Sequence, residues 1–460
     1  MRSSRSKPDP RGTVRAAAAI TAALALCPCS AALAQQFVEI STAAVASLQQ
    51  ESAPASETEK QAGTQAEAPV ETQAELQPDE APSFTVFWDQ GLHLQALRRS
   101  FTLRFAGSAQ NESAAFSESG YETEFGALEN GVQWRRVRLF AEGGFARHFT
   151  YKLQYDFVQN NPPNLKDMYL GFAAPKLPVR VLVGRFRTPL GLEGHTSAMD
   201  LTFMERGLIS TFLPSRNTGV VVYADDTRDA HNLRYSVAAI KPQNNFDFTS
   251  TDLLGFSTRF SYAFAPRTDI LIHLGGDYMH RPVEDTIRFL QRPESNLAPQ
   301  FVDTGDIFSS SVDTAILEVA LVRGRWSFQT EGAATWVGRP ESDLERLLFW
   351  GGYGFVSYMI TGEARPYRKE RGNFGRLRPE NPFFGPGSDR GRGALEAAFR
   401  VSYLGLEDRD ALGGRLFDLT WALNWYATRN ARVYTNVVWA DPSLSAKSVW
   451  IAQVRLQWAY

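Results

Sequence analysis

Six histidines, two cysteines and a long series of arginines are the side chains of this 460-residue sequence that invite a chemical reading. The histidines are His93, His148, His195, His231, His273 and His280, and no two form an HExxH zinc-binding pair. No GxSxG nucleophile elbow is present. A barrel hydrolase would have to rest on His195 beside Thr196 and Ser197, and a polar pore-lining histidine is by far the simpler account of that residue. Gly351-Gly352-Tyr353-Gly354 has the glycines of a nucleotide loop but no helix after it, so close packing within a strand is expected. Cys27 and Cys29, one residue apart, exclude a disulfide scaffold and a cysteine metal site. No catalysis, cofactor or metal is expected.

The arginines are the remaining chemistry. Residues 83–460 hold 36 Arg and 6 Lys against 40 acids, an excess of two positive charges. A guanidinium stays charged and grips phosphate or carboxylate with two parallel hydrogen bonds. The whole chain carries a formal charge of −2, which argues against a nucleic-acid partner. Any preference for anions must therefore come from where the arginines point.

Three textures position them. Residues 1–34 read as a secretory leader: Arg2, Arg5, Lys7, Arg11 and Arg15, an apolar stretch from Ala16 to Leu26, then Ala32-Leu33-Ala34 as a small-x-small cleavage site. Residues 35–82 hold nine acids against Lys60 and almost no aromatics, the composition of a disordered acidic linker. After Ser83 apolar and polar residues alternate. In 149–157 Phe149, Tyr151, Leu153, Tyr155 and Phe157 interleave with Thr150, Lys152, Gln154 and Asp156. At the end of the chain Trp450, Ala452, Val454, Leu456, Trp458 and Tyr460 share one face, and Gln453, Arg455 and Gln457 the other. Period two means strand. Long strands with polar residues on one face predict an all-β transmembrane barrel, apolar side out.

The pattern predicts sixteen strands, at 100–115, 131–145, 149–158, 165–173, 179–188, 217–225, 231–240, 253–265, 269–281, 313–323, 325–336, 348–361, 392–405, 414–427, 431–440 and 448–460. Short turns follow the even-numbered strands except the twelfth, and longer loops follow the odd ones. Residues 83–99 are expected before the barrel, on its periplasmic side or in its mouth. Pro189–Arg216 is a long apolar loop in which Ser197–Arg206 is expected to be helical, with Ser197 as N-cap. Gly362–Gly391 is a long connection where a short turn belongs, with seven bases against four acids. It either lines the pore and collects anions, or forms a solvated lobe or subunit contact. The fifth outer loop, 282–312, is acidic and would repel anions.

RRVRLFAEGGFARHFTYKLQYDF (135–157), LKDMYLGF (165–172), VGRFRTPLGLE (183–193), LTFMERGL (201–208), SRNTGVVVY (215–223) and TGEARPYRKERGNFGRLRP (361–379), with GALEAAFRVSYLGLED (393–408), GGRLFDLTWALNWY (413–426) and IAQVRLQWAY (451–460), together resemble the phosphate-selective porin O and P family. The resemblance implies a sixteen-stranded homotrimeric barrel of the bacterial outer membrane, in contact with its lipid. It further implies an infolded third loop and a long inward periplasmic turn. By strand phase Arg104, Arg136, Arg138, Lys152, Arg185, Arg187 and Arg455 point inward, with Arg206 and Arg216 on the third loop. The expected function is diffusion of small hydrophilic solutes with a preference for anions such as phosphate. The alternatives are a general porin whose linker tethers the envelope, and a barrel hydrolase. Tyr460 stands where the barrel-assembly machinery is expected to find a terminal aromatic.

Overall fold

In the computed structural model this alternation builds a closed barrel of sixteen antiparallel strands. The structure describes residues 84–96, 100–124, 126–158, 164–175, 177–214, 216–241, 254–340, 344–384, 391–444 and 447–460. The expected leader 1–34 and acidic linker 35–82 lie outside the described residues. The strands are β1 Phe101–Phe116, β2 Gly131–Phe145, β3 Phe149–Asp156, β4 Leu165–Ala173, β5 Val179–Phe186, β6 Asn217–Arg228, β7 His231–Lys241 and β8 Gly255–Arg267. The second half comprises β9 Ile270–Pro282, β10 Ser311–Arg323, β11 Trp326–Gly338, β12 Leu347–Met359, β13 Ala394–Asp408, β14 Ala411–Tyr426, β15 Ala431–Pro442 and β16 Val449–Ala459. Each pairs with the next. β16 closes on β1, from Ile451 opposite Phe116 to Ala459 opposite Ser108. Closure pairs the backbone around the wall, the condition for a sheet to sit in lipid.

The faces are sorted as the pattern requires. In β16 Trp450, Val454, Leu456 and Trp458 are exposed while Gln453, Arg455 and Gln457 are buried. In β7 Leu233, Tyr235 and Val237 are exposed while Arg234 and Ser236 are buried. Apolar groups therefore face outward and charges face the interior, the reverse of a soluble domain. Phe101, Phe145, Phe149, Tyr151 and Phe172 stack side by side at the turn end, where an aromatic girdle belongs. Among the described residues no helix is long and apolar enough to cross a membrane.

Two departures from expectation are informative. The connection expected over 406–413 is a two-residue turn, Arg409-Asp410, because β13 and β14 stay paired as far as Asp408 opposite Ala411. The charged run Glu407–Asp410 has the look of a loop, but backbone pairing is indifferent to exposed side chains. Residues 84–96, expected outside the wall or in the mouth, form a hairpin of Phe84–Trp88 and Leu92–Ala96. Its second arm pairs with Thr102–Phe105 of β1.

Glycines mark where strands approach most closely. A Cβ on Gly143 would lie 1.9 Å from the Thr102 carbonyl oxygen, whereas one on Gly332 would meet nothing within 4 Å. Gly143→Ala is therefore expected to lower the fraction of folded barrel, and Gly332→Ala to leave it unchanged. Heat-modifiable mobility on a denaturing gel checks both.

Candidate pore-lining site

The inward arginines begin at a fault in the sheet. A β-bulge between Gln110 and Asn111 breaks the β1–β2 register: Arg136 lies opposite Gln110 and Trp134 opposite Asn111. Arg135 is the extra residue, and the bulge lets it point inward beside Arg136. Both reach Glu205 of the long loop, Arg135 Nε at 2.9 Å and Arg136 Nη2 at 3.8 Å. Further round the same wall Arg138 pairs with Asp156 at 2.7 Å and Arg216 with Asp167 at 2.6 Å. Lys152 sits 3.0 Å from Glu142 and 4.0 Å from Asp167. Arg104 donates to Glu142 at 2.8 Å and to the Gln90 carbonyl, so it also holds the N-terminal hairpin.

Arg187 and Arg206 are held differently. Arg187 donates to the Gly194 carbonyl at 2.5 Å, and Arg206 to the carbonyls of Glu193 and Thr196, each at 2.9 Å. A carbonyl satisfies a donor without cancelling its charge. Burial first, then the charges of Arg216 and Arg206, push the Arg187 guanidinium well below its ordinary value. Because a guanidinium keeps its proton in proteins, this pressure amounts to a demand for a counter-anion. Arg185 donates to the Leu165 carbonyl at 3.2 Å.

The loop after β5 contacts the buried faces of strands that are not its neighbours. Gln457 donates to the Met199 carbonyl at 3.0 Å, and Arg432 to those of Leu201 at 2.6 Å and Thr202 at 3.0 Å. Asn424 also reaches Thr202, Arg455 reaches Met204, and Arg400 reaches Glu205. These contacts correct the expected helix over 197–206. Its carbonyls are taken by wall side chains, so the chain runs as bends rather than closing i to i+4 bonds. The α-helix of this loop is instead the single turn Leu192–His195, and a 3-10 helix follows at Leu208–Phe212. Gly191 precedes it at φ 72°, and the amides of Leu192 and Glu193 grip the Glu331 carboxylate at 2.6 and 2.9 Å. The Gly191 amide takes Asp277 at 2.5 Å.

Glu205 is the charge at the centre of the loop. Burial opposes its ionisation, but Arg135, Arg455 and Arg136 outweigh burial and hold its carboxyl well below the usual range. Burial, then Arg259 and Arg234, push the His195 imidazole far down, so it stays neutral. The Thr196 hydroxyl is turned to the Leu192 carbonyl at 2.7 Å, and Ser197 Oγ accepts from the Met199 amide at 3.3 Å.

Two other connections join this network. Glu294, in the acidic loop between β9 and β10, is fully buried against Arg400, with Nε at 2.9 Å, and accepts from Ser402 and Thr420. Of the acids in this loop, Glu294 thus has its charge balanced within the barrel. In the connection after β12, Arg368 and Arg376 flank Asp200 at 3.0 and 3.5 Å. The Glu370 carbonyl receives Arg234 at 2.5 Å, and the Gly372 carbonyl receives Arg259 at 3.1 Å. Its described part, 362–384, therefore packs against the third loop and the wall, so a solvated lobe does not describe it. Sequence phase missed Arg234, Arg259, Arg400 and Arg432 although each alternates correctly, as in Phe399-Arg400-Val401-Ser402. Arg135 had no such signal, because the bulge inverts its phase.

The family model described as phosphate-selective porin O and P matches residues 118–460. An uncharacterized protein of Caulobacter vibrioides is 28% identical over 331 residues, covering 67% of this chain and 62% of its own length. Porin O of Pseudomonas aeruginosa is 23% identical over 349 residues, covering 69% of this chain and 76% of its own length. Among solved structures, OmpT of Vibrio cholerae, an outer membrane protein in its trimer form, is similar at a TM-score of 0.48 and 10% identity. That match covers 78% of this chain and all of the OmpT chain.

Glu205→Gln strands three guanidinium groups beside a neutral amide. Breaking a buried pair in this way costs about 3–5 kcal/mol, so a lower melting temperature and faster proteolysis within 187–216 are expected. In the native protein the carboxyl has a depressed pKa. Its stabilisation is thus complete above the unfolded value of about 4.3 and is lost as pH falls through the lower folded one. Loop protection from protease should persist at pH 4 and fail only in stronger acid.

Proposed function

This chain belongs to the phosphate-selective porin O and P family and is a porin of the bacterial outer membrane, and we propose that it prefers anions, with phosphate among them. The observation that carries the proposal is the pair Arg187 and Arg206, whose hydrogen bonds go to the carbonyls of residues 193–196. Among the described residues neither is in an ion pair, and the carboxylates of Glu193 and Glu205 act on Arg206 only from a distance. An anion passing there meets donors already oriented by the loop, in a site too lightly bonded to retain it. The other candidate residues serve the same reading as a graded wall. Arg104, Arg136, Arg138, Lys152, Arg216 and Arg455, each balanced by a carboxylate, and Arg185 on the Leu165 carbonyl form the polar wall in which that pair is set. The loop that carries Arg206 narrows the passage. No catalytic role is part of the proposal.

A second reading is favoured by the ion pairs themselves. Arg138–Asp156, Arg216–Asp167 and Arg259–Glu318 balance charge locally, as a general porin with a transverse field would. Phosphate block separates the two. In planar bilayers, phosphate should reduce chloride current through the wild type. In the double variant Arg187→Gln, Arg206→Gln the half-blocking concentration should rise at least about a hundredfold, since two charged hydrogen bonds are lost and each is worth about 1.5–3 kcal/mol. An unchanged block in the variant would favour the general porin.

Assembly as a homotrimer, and delivery by the barrel-assembly machinery through Tyr460, complete the proposal. Supporting the latter, the Tyr460 backbone exchanges two 3.0 Å hydrogen bonds with Gly107, so this aromatic residue is held at the seam. Deleting Tyr460 should lower the amount of inserted barrel and leave the conductance of each channel unchanged. Immunoblots of outer membranes and single-channel recordings check the two halves.

A further inference from the structure

The seam between β1 and β16 is uneven. β16 reaches only Ala459 opposite Ser108, with Tyr460 beside Gly107, while β1 runs on to Phe101. On its other side this projecting segment is paired to β2, down to Phe101 opposite Phe145. Its free edge would lie level with the aromatic cluster of Phe101, Phe145 and Phe149. Unpaired N–H and C=O groups at that level of a membrane are costly. The hairpin 84–96 supplies the missing pairing, with Leu92 opposite Phe105 and Gln95 opposite Thr102.

Register then decides which way the hairpin faces. Directly opposed residues of an antiparallel pair share a face. Phe105, on the outer face of β1, places Leu92 and Leu94 outward, and these in turn place Trp88 and Val86 outward, with Phe84 following opposite Ala96. Phe84, Val86, Trp88 and Leu92 are 54%, 59%, 64% and 45% exposed, and no charge interrupts them. Thr85, Phe87, His93 and Gln95 take the other face, where Arg104 binds the Gln90 carbonyl at 2.6 Å. The turn is tied from several sides: Asp89 pairs with Arg429, Trp88 lies 6.0 Å from the Tyr460 ring, and Gly91 has φ 129°. A Cβ on Gly91 would come within 2.7 Å of Ala106.

We infer that residues 84–96 are a lipid-contacting clasp of the barrel seam, with Phe84, Val86, Trp88 and Leu92 seated in the membrane leaflet at the turn end. The occupant is lipid because this uncharged row continues, residue opposite residue, into the lipid-facing surface of β1. The inference is independent of the anion preference proposed above.

Site-directed spin labelling tests it on the full chain in phosphatidylethanolamine–phosphatidylglycerol liposomes. Cys27 and Cys29, the two cysteines of the chain, are first replaced by serine, and heat-modifiable mobility confirms folding of each variant. A nitroxide at Val86→Cys should match one at the wall position Val454→Cys: accessible to oxygen and at least severalfold less accessible to a water-soluble nickel complex than one at Thr85→Cys. Nickel accessibility at Val86→Cys equal to that at Thr85→Cys would place this face in water and overturn the inference. Loss of access to both reagents with spin–spin broadening would also overturn it, by showing that a second copy covers the face.

Discussion

A guanidinium inside a barrel cannot escape its charge by losing a proton, so each inward arginine must be matched where it stands. Most of the interior follows from that one constraint. Arg138 brings Asp156 into β3, Arg259 pairs with Glu318 on β10, and Arg400 draws Glu294 down from a loop that looks merely acidic in isolation. Arg455 does more, binding Glu112 of the adjoining strand, Glu205 of the long loop and the Met204 carbonyl. The lumen wall and its loops are thus one electrostatic structure.

The constraint also explains why two long connections can be ordered without regular secondary structure. A loop laid against a wall must satisfy its own carbonyls, and here wall arginines and amides do so one at a time. In return, loop amides and carboxylates neutralise the wall: the turn at Leu192 caps Glu331, and Asp200 stands between Arg368 and Arg376. Where the partner is a carboxylate, the charge is spent locally. Where it is only a carbonyl, as at Arg187 and Arg206, the proposed function has the charge act on a passing solute. On this account selectivity depends on partner type more than on arginine number, in keeping with a sequence excess of only two bases.

Much of this was legible in advance because a barrel in lipid has a rigid grammar. Alternation placed all sixteen strands, and the long connections after β5, β9 and β12 fell where expected. The nine candidate residues form hydrogen bonds or ion pairs within the wall and its loops, and their part in binding anions belongs to the proposal. The misses share a cause. The helix expected at 197–206, the loop expected at 406–413 and the orientation of Arg135 were each decided by tertiary partners that local pattern does not encode: wall side chains competing for carbonyls, continued strand pairing, and a one-residue bulge. The hairpin 84–96 is of the same kind, since its place depends on how far β16 falls short of β1.

Arg187 and Arg206, held by carbonyls, are proposed to make the lumen favour anions. The zero-current potential of the wild-type channel across a KCl gradient measures this most directly. The expected potential has the sign set by chloride permeating faster than potassium, and it declines towards zero as salt screens the wall. A potential of the opposite sign, set by potassium, would contradict it.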